Sequence, residues 1–286
     1  MLPDSTLQQF HANNVELAYR LFGKPIDKKT PVLFVHGLSF FSYDWIAFGN
    51  QICSDRSGCA MDMRGFGDSS NSPGGDYTVP TMSSDIGAIM DHLGWQQVIL
   101  VAHSMGGRNA THFTAKNPEH VKALVLVDWS PENAPEGSRR VAQTVANTPE
   151  IFADVESVML YFGIDPKSPE GSKKLARFQA YTRPVAGGLV IKRDPFFSQQ
   201  FRRQLETGEK AKHGVDLWQA VEDVRAPTLL IRGSRSDLFA AETLPKMLQK
   251  NSRIQAVEID AGHYVTGDNP KKALEVIRKF IDEKDI

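Results

Sequence analysis

Short apolar runs that end in Gly, Asp or His alternate along this chain with amphipathic stretches, and this alternation strongly constrains the fold. Near-continuous apolar runs are typical of strands covered on both faces, so the pattern predicts a mostly parallel sheet flanked by helices. Residues 14–22 alternate apolar and polar side chains instead, which predicts an antiparallel edge strand. The other strands are predicted at residues 31–36, 58–63, 97–103, 121–128, 227–232 and 253–260.

One region interrupts the alternation. Residues 131–214 contain amphipathic pieces joined by Pro and Gly, and no convincing buried strand. We therefore predict an all-helical cap, or lid, inserted after the sixth strand into a core of residues 1–130 and 215–286. Ligands bind at the carboxyl edge of open α/β sheets, and the cap is expected to cover that edge. In the core, helices are predicted at residues 81–93, 105–117 and 269–282.

Charge and cysteine content narrow the class of protein. The chain has 33 Lys and Arg against 34 Asp and Glu, so no basic excess exists to neutralise phosphates and no nucleic acid partner is predicted. Cys53 and Cys59 form no disulfide framework and are expected to be reduced thiols of a cytoplasmic protein. No signal peptide is visible, and no apolar segment approaches the ~20 residues that span a bilayer. We expect a monomer or homodimer that does not bind membranes.

The strongest local motif is Ala102-His103-Ser104-Met105-Gly106, which lies between a predicted strand and a predicted helix. A serine on such a sharp turn has a strained backbone, and its hydroxyl projects above the sheet. Small residues are needed two positions before and after it, because the strand and helix backbones pass closely there. The motif predicts Ser104 as a nucleophile and the N–H of Met105 as an oxyanion donor. A purely structural turn is the alternative.

A second motif, His36-Gly37-Leu38, ends the strand predicted at residues 31–36. Gly37 lets the backbone turn so that the N–H of Leu38 can serve as the second oxyanion donor, and His36 is expected to support this loop. The aromatic and histidine side chains that we expect to contact the substrate are Phe40, Trp129 and His103. For the neighbouring aromatics Phe41 and Trp45, packing in the buried core and contact with the substrate are equally plausible from the sequence.

The base and its orienting acid are expected in the loops after later strands. A serine hydroxyl needs an adjacent base, and His263 lies between the last strand and the last helix, at the same sheet edge as Ser104. Two acids can orient it. Chain order favours Asp237, but that residue lies one position later than usual, with Ser236 in the expected place, so Asp128 at the end of the sixth strand is somewhat favoured.

These motifs resemble the α/β-hydrolase superfamily over nearly the whole chain. The sequence Asp62-Met63-Arg64-Gly65-Phe66-Gly67-Asp68-Ser69 also resembles a structural loop of that family. The resemblance implies an eight-stranded α/β-hydrolase core with a cap. Segments 107–109, 127–131 and 184–189 are similar to the 2-(acetamidomethylene)succinate hydrolases, which implies that the acid follows the sixth strand, at Asp128.

The motifs together predict a serine hydrolase of carboxylesterase type, which cleaves a small ester, amide or lactone through a Ser-His-Asp triad and an acyl-enzyme. A carbon–carbon bond hydrolase of ring-cleavage products, or a slowly hydrolysing ligand receptor of the same fold, are the alternatives. No metal-ligand motif such as HExxH is present, and no metal or cofactor is predicted. Cap arginines can pair with a substrate carboxylate, although surface charge is their more usual role; the candidates are Arg139, Arg140, Arg183 and Arg193.

Overall fold

The computed structural model describes residues 6–24, 29–209 and 213–284. The strands are β1 (Leu7–Ala12), β2 (Val15–Phe22), β3 (Val32–Val35), β4 (Gly58–Met61), β5 (Val98–His103), β6 (Val121–Val127), β7 (Thr182–Val185), β8 (Gly188–Ile191), β9 (Thr228–Gly233) and β10 (Ile254–Ile259). The α-helices are α1 (Ile46–Ile52), α2 (Val79–Leu93), α3 (Met105–Lys116), α4 (Pro135–Ala146), α5 (Val155–Tyr161), α6 (Pro169–Tyr181), α7 (Pro195–Thr207), α8 (Leu217–Asp223), α9 (Thr243–Lys250), α10 (Val265–Asp268) and α11 (Pro270–Glu283). Short 3₁₀ turns occupy Ser42–Trp45 and Pro73–Gly75.

Eight of these strands form one sheet in the order β1-β2-β4-β3-β5-β6-β9-β10. Pairing is antiparallel between β1 and β2 and between β2 and β4, and parallel across the rest of the sheet. The predicted mostly parallel sheet flanked by helices is therefore confirmed. Because β5 and β6 lie at its centre, the loops that follow them meet at one carboxyl edge.

The strand predicted as the sheet edge is not at the edge. β2 pairs on its outer side with β1, through a tight turn in which Asn13 and Asn14 both have positive φ, at 50° and 62°. Asparagine tolerates this conformation, which two-residue hairpin turns need. The sequence of β1 did not predict a strand because none of its six residues is fully buried, so it shows no apolar run.

Helices cover both faces of the sheet. On one face Met82 and Ile86 of α2 belong to the same buried cluster as Leu100 of β5. On the other face Ile277 and Phe280 of α11 belong to a second buried cluster with the remaining inward residues of the parallel strands. This double coverage explains the apolar runs from which the strands were predicted. No helix in the described part of the chain is long and apolar enough to cross a membrane.

The segment predicted as an all-helical cap is not all helical. It contains α4 to α7, but also an antiparallel hairpin formed by β7 and β8. Ala186 and Gly187 form its two-residue turn, in which Gly187 has φ of 90°, and Gly188, the first residue of β8, has φ of 149°. Pro184 and Val185 are exposed. A short hairpin with so little buried surface has no apolar periodicity, and the sequence pattern therefore missed it.

Candidate active site

Ser104 stands on the turn between β5 and α3. Its backbone has φ 52° and ψ −121°, a positive φ that is strained for a residue with a side chain. The N–H of Ser104 donates to the carbonyl of Val127 at 3.1 Å, which ties the turn to β6. A Cβ on Gly106 would lie 2.6 Å from the carbonyl oxygen of Val35, so the helix start can approach β3 only with glycine there. The local sequence thus builds a strained turn that presents the serine hydroxyl.

Three side chains form a continuous hydrogen-bonded line at this turn. His263 Nε2 lies 2.9 Å from Ser104 Oγ, and His263 Nδ1 lies 2.6 Å from Asp128 Oδ2. An ionised carboxylate can only accept, so Nδ1 carries the proton and Nε2 accepts the hydrogen bond of the serine hydroxyl. Asp128 is almost fully buried, with an exposed fraction of 2 %. The arrangement suits removal of the serine proton by a neutral imidazole.

Asp128 is itself held from the neighbouring strand. The N–H of Gly233, at the end of β9, donates to Asp128 Oδ1 at 2.7 Å, and the hydroxyl of Ser236 donates to Oδ2. The backbone N–H of Asp128 donates to the carbonyl of Ile231 at 2.7 Å. These bonds fix the carboxylate in a buried position. The backbone of Asp128 has φ of 47°, which is positive like that of Ser104.

The structure does not bring Asp237, the other candidate acid, to His263. Both carboxylate oxygens of Asp237 bond to Arg140, at 2.6 and 2.9 Å, and about a third of the side chain is exposed. The hydrogen bonds from Arg140 hold the pKa of Asp237 below its usual value. The physical reason is the position in the loop, because Ser236 takes the place that faces Asp128. The same contact gives Arg140 a carboxylate partner within the protein.

The loop after β3 lies against the serine. A Cβ on Gly37 would lie 3.1 Å from the Cβ of Ser104, and Phe40 N–H closes a turn onto the Gly37 carbonyl at 3.1 Å. Among the described residues, no acceptor receives a hydrogen bond from the N–H of Leu38 or of Met105. The predicted oxyanion donors thus belong to two segments that meet at Ser104, and neither N–H is used by the fold.

Two buried histidines support these loops. His36 Nδ1 donates to the carbonyl of Gly37 at 2.8 Å, while its Nε2 accepts from the N–H of Met63 at 2.9 Å. Burial lowers the pKa of His36 to about 4 and that of His103 to about 3, so both rings are neutral near pH 7. His103 Nε2 donates to the carbonyl of His263 at 2.9 Å, which links the turn at Ser104 to the loop that carries His263.

Of the residues predicted to contact substrate, Phe40 lies beside the loop that carries His263, whereas Trp129 lies mainly in the core. The Phe40 ring lies 5.0 Å from the ring of His103 and 4.9 Å from that of Tyr264, next to His263. Trp129 is 5 % exposed and belongs to the buried cluster that also contains Leu100 of β5. A Cβ added to Gly107 would lie 2.7 Å from the Cβ of Trp129, so the two backbones approach closely there. Phe41 and Trp45 are buried as well.

Two residues that the sequence did not single out join α6, in the segment predicted as the cap, to the loop after β3. Arg177 of α6 forms a two-point ion pair with Asp44, at 2.7 and 3.1 Å, and donates to the carbonyl of Ser39 at 3.2 Å. Burial opposes the charge of Arg177, but the carboxylate of Asp44 outweighs this effect and raises the pKa of the guanidinium. The only sequence signal for this contact is the spacing of Arg177, four residues before Tyr181, which places it on the inward face of an amphipathic helix. This signal is weak, because the spacing does not identify the partner.

No group of three or more His, Cys, Asp or Glu side chains in residues 6–24, 29–209 and 213–284 is arranged to hold a metal ion. The titratable groups at the site are instead paired with one another or with the backbone. The hydrogen bonds between Ser104, His263 and Asp128 suit acid–base and nucleophilic chemistry carried out by side chains.

Comparison with known proteins agrees with this architecture. The family profile described as "alpha/beta hydrolase fold" matches residues 30–270. The 2-(acetamidomethylene)succinate hydrolase of Mesorhizobium japonicum is 30% identical over 253 residues, which cover 88% of this chain and 87% of that protein. The 3-hydroxybutyrate-oligomer hydrolase of Cupriavidus necator is 28% identical and covers 89% of each chain. The crystal structure of E-2-(acetamidomethylene)succinate hydrolase superposes with a TM-score of 0.83 at 28% identity, over 97% of this chain and 99% of that one.

Proposed function

Because the chain belongs to the α/β-hydrolase fold family, we propose that it is a serine hydrolase that cleaves a small ester, amide or lactone through an acyl-enzyme. The observation that carries the proposal is the line from Ser104 through His263 to Asp128, with contacts of 2.9 and 2.6 Å. These side chains come from the loops after β5, β10 and β6. Their convergence at one sheet edge is the arrangement that nucleophilic acyl transfer needs.

In the first half of the reaction, Ser104 Oγ attacks the substrate carbonyl carbon while His263 Nε2 takes the hydroxyl proton. The carbonyl π electrons move onto oxygen, and the N–H groups of Leu38 and Met105 stabilise the resulting oxyanion. When the tetrahedral intermediate collapses, His263 returns the proton to the leaving group and the acyl group stays on Ser104. Asp128 holds the ring orientation and stabilises the imidazolium.

In the second half, a water molecule takes the place of the leaving group. His263 removes its proton, the hydroxide oxygen attacks the acyl carbon, and collapse returns the proton to Ser104 Oγ with release of a carboxylic acid. Each oxyanion donor is expected to contribute about 3 kcal/mol to stabilisation of the transition state. Because the loop that carries Leu38 is already turned against Ser104, little reorganisation is needed during the reaction.

The proposal is tested with p-nitrophenyl esters from acetate to decanoate, and with a fluorophosphonate probe that labels activated serines. We expect turnover and a single covalent adduct on Ser104 in the wild type, and neither in Ser104→Ala. Ser84→Ala is the matched control, since Ser84 is an exposed serine on α2 whose hydroxyl bonds only nearby polar groups. Labelling of another residue, or equal turnover by wild type and Ser104→Ala, would overturn the serine mechanism.

The two alternatives give different results in the same experiments. A carbon–carbon bond hydrolase would label on Ser104 but cleave a ring-fission dienone faster than any ester. A ligand receptor would label slowly, turn over more slowly than ~1 s⁻¹ on every substrate, and change its melting temperature on ligand binding. Ester turnover above that rate, without dienone cleavage, supports the acyl-transfer proposal.

A further inference from the structure

A buried arginine of the cap has no acidic partner. Arg193 follows β8 and is 7 % exposed. Its Nη1 donates to Ser39 Oγ at 2.8 Å, and its Nη2 donates to Thr148 Oγ1 at 2.8 Å and to Ser198 Oγ at 3.2 Å. Each of these acceptors is neutral. In the described part of the chain, no Asp or Glu lies within ion-pair distance of this guanidinium.

The folded chain compensates this charge only in part. Burial lowers the pKa of Arg193, because a guanidinium removed from water loses its hydration and has only neutral hydroxyl and carbonyl acceptors here. The carbonyl of Val145, near the end of α4, lies 3.5 Å from Nη2, and a helix end supplies the equivalent of about half a negative charge. Buried charges are normally paired with a full opposite charge. The described surroundings of Arg193 therefore supply hydrogen bonds but no full negative charge.

A buried hydroxyl near Arg193 also lacks a partner. Tyr181 is fully buried, and no hydrogen-bond partner for its hydroxyl exists among the described residues. The carbonyl of Tyr181 accepts from the N–H of Lys192, the neighbour of Arg193, at 2.8 Å, and the Arg177 guanidinium lies 4.9 Å from the Tyr181 ring centre. Arg177 is already neutralised by Asp44. A single acceptor with one negative charge would therefore both balance the guanidinium of Arg193 and accept the hydrogen bond of the Tyr181 hydroxyl.

This cluster adjoins the proposed catalytic site through a single short loop. Ser39 accepts from Arg193 with its hydroxyl and from Arg177 with its carbonyl, and it has a positive φ of 64°. It directly follows Leu38, the proposed oxyanion donor, and Gly37 packs against Ser104. A small molecule whose carbonyl lies at Ser104 can thus extend one end toward the guanidinium of Arg193.

We propose that Arg193 and the hydroxyl of Tyr181 bind a carboxylate of the substrate, so that the enzyme selects acyl compounds that carry a second, ionised carboxyl group. The planar guanidinium matches a carboxylate in shape and hydrogen-bonding geometry. A monoanion also balances the single uncompensated charge, whereas a phosphate dianion leaves an excess. The inference rests on the proposed serine hydrolase function for its chemistry, but the binding site itself can be tested without turnover.

The first test compares a charged substrate, p-nitrophenyl hydrogen glutarate, with its methyl ester, in which one added methyl group removes the charge. We expect the wild type to favour the acid in kcat/KM by about 10- to 100-fold, the range for a charged hydrogen-bonded contact. Arg193→Met should bring the acid-to-ester ratio close to one, and Tyr181→Phe should lower it by about 3- to 10-fold. Ser104→Ala supplies the background rate, because the free carboxylate can attack its own ester.

A matched control separates substrate binding from support of the helix end. Arg202 Nε donates to the carbonyl of Ala146 at 2.8 Å, at the same end of α4, and makes no hydrogen bond to the Ser39 loop. Arg202→Met should therefore leave the acid-to-ester ratio unchanged. If Arg202→Met and Arg193→Met lower the ratio equally, Arg193 acts through the helix and the proposal is wrong.

The second test measures binding without chemistry. Glutarate is titrated calorimetrically into Ser104→Ala and into Ser104→Ala combined with Arg193→Met; we expect binding in the first and at least tenfold weaker binding in the second. Arg193→Lys, which keeps the charge, replaces the methionine variant if that one does not fold. A wild-type ratio near one, together with glutarate binding that ignores residue 193, would overturn the carboxylate site. Loss of Ser104 labelling would instead overturn the proposed hydrolase function.

Discussion

The replacement Asp128→Asn tests the proposed mechanism at the contact where the structure is most specific. An asparagine oxygen can still accept the N–H of Gly233, now 2.7 Å from Oδ1, so the local fold is expected to persist. The amide nitrogen then faces His263 Nδ1 and must donate to it. The ring proton therefore moves to Nε2, which faces Ser104 Oγ at 2.9 Å, and the histidine can no longer accept the serine proton.

The expected loss of kcat follows from this change of the His263 tautomer. In serine proteases the same substitution lowers kcat by about 10⁴-fold, which corresponds to about 5.4 kcal/mol in the barrier. We expect a loss of this size with p-nitrophenyl acetate, at a melting temperature close to that of the wild type. The measurement is kcat under saturating substrate, with protein concentration taken from absorbance and folding checked by circular dichroism.

Asp237→Asn is the matched control for this experiment. It removes one charge from a partly exposed pair with Arg140, a contact worth about 1 kcal/mol or less, and should change kcat by less than about threefold. The reasoning fails if Asp128→Asn keeps more than a tenth of the wild-type kcat. It also fails if the folded Asp237→Asn variant is the one that loses activity.

Further predictions concern stability. Gly106→Ala places a methyl group 2.6 Å from the carbonyl oxygen of Val35, and urea unfolding should show a loss of about 3 kcal/mol. Asp44→Asn leaves the buried charge of Arg177 without its partner and should cost a similar amount, about 3 kcal/mol, much of it recovered when Arg177→Met is added. Burial lowers the pKa of His36 to about 4, so the unfolded chain binds more protons at this residue below pH 6.5. His36 should therefore contribute a fall of about 1.4 kcal/mol per pH unit to the free energy of unfolding as the pH falls to about 4. His103, whose pKa is lowered to about 3, adds a second contribution to the same slope. His36→Gln should remove this part of the slope, and an unchanged slope between pH 6 and 4.5 would contradict the buried, neutral assignment.

Sequence reasoning succeeded where local pattern and long-range packing require the same residues. A strand buried on both faces must be apolar along its length, so the central strands were visible as runs. The turn at Ser104 needs small residues at fixed distances within one short segment, and this requirement is also local. Reasoning from pattern failed for β1 and for the hairpin of β7 and β8, because strands with little buried surface carry no such constraint.

The choice between Asp128 and Asp237 as the partner of His263 could not be made from short segments of sequence. Asp128 and Asp237 both follow strands that end at the same sheet edge, and the residues alone left both open. Their difference arises from the pairing of β6 with β9, which brings Gly233 and Ser236 to one carboxylate and leaves the other facing Arg140. Register between strands that are far apart in the chain is a tertiary property.

The sequence by itself therefore determined the parallel strands, the sharp turn at Ser104 and the loop that carries His263, because each depends on short segments with a strict steric or burial requirement. The tertiary structure alone decided which acid meets His263, and it alone brought Arg193, Tyr181 and Ser39 together. Their positions depend on how residues 131–214 pack on the loop after β3. A single charged side chain leaves no pattern along the chain that reveals whether it will face water, an acid or neutral polar groups in the folded protein.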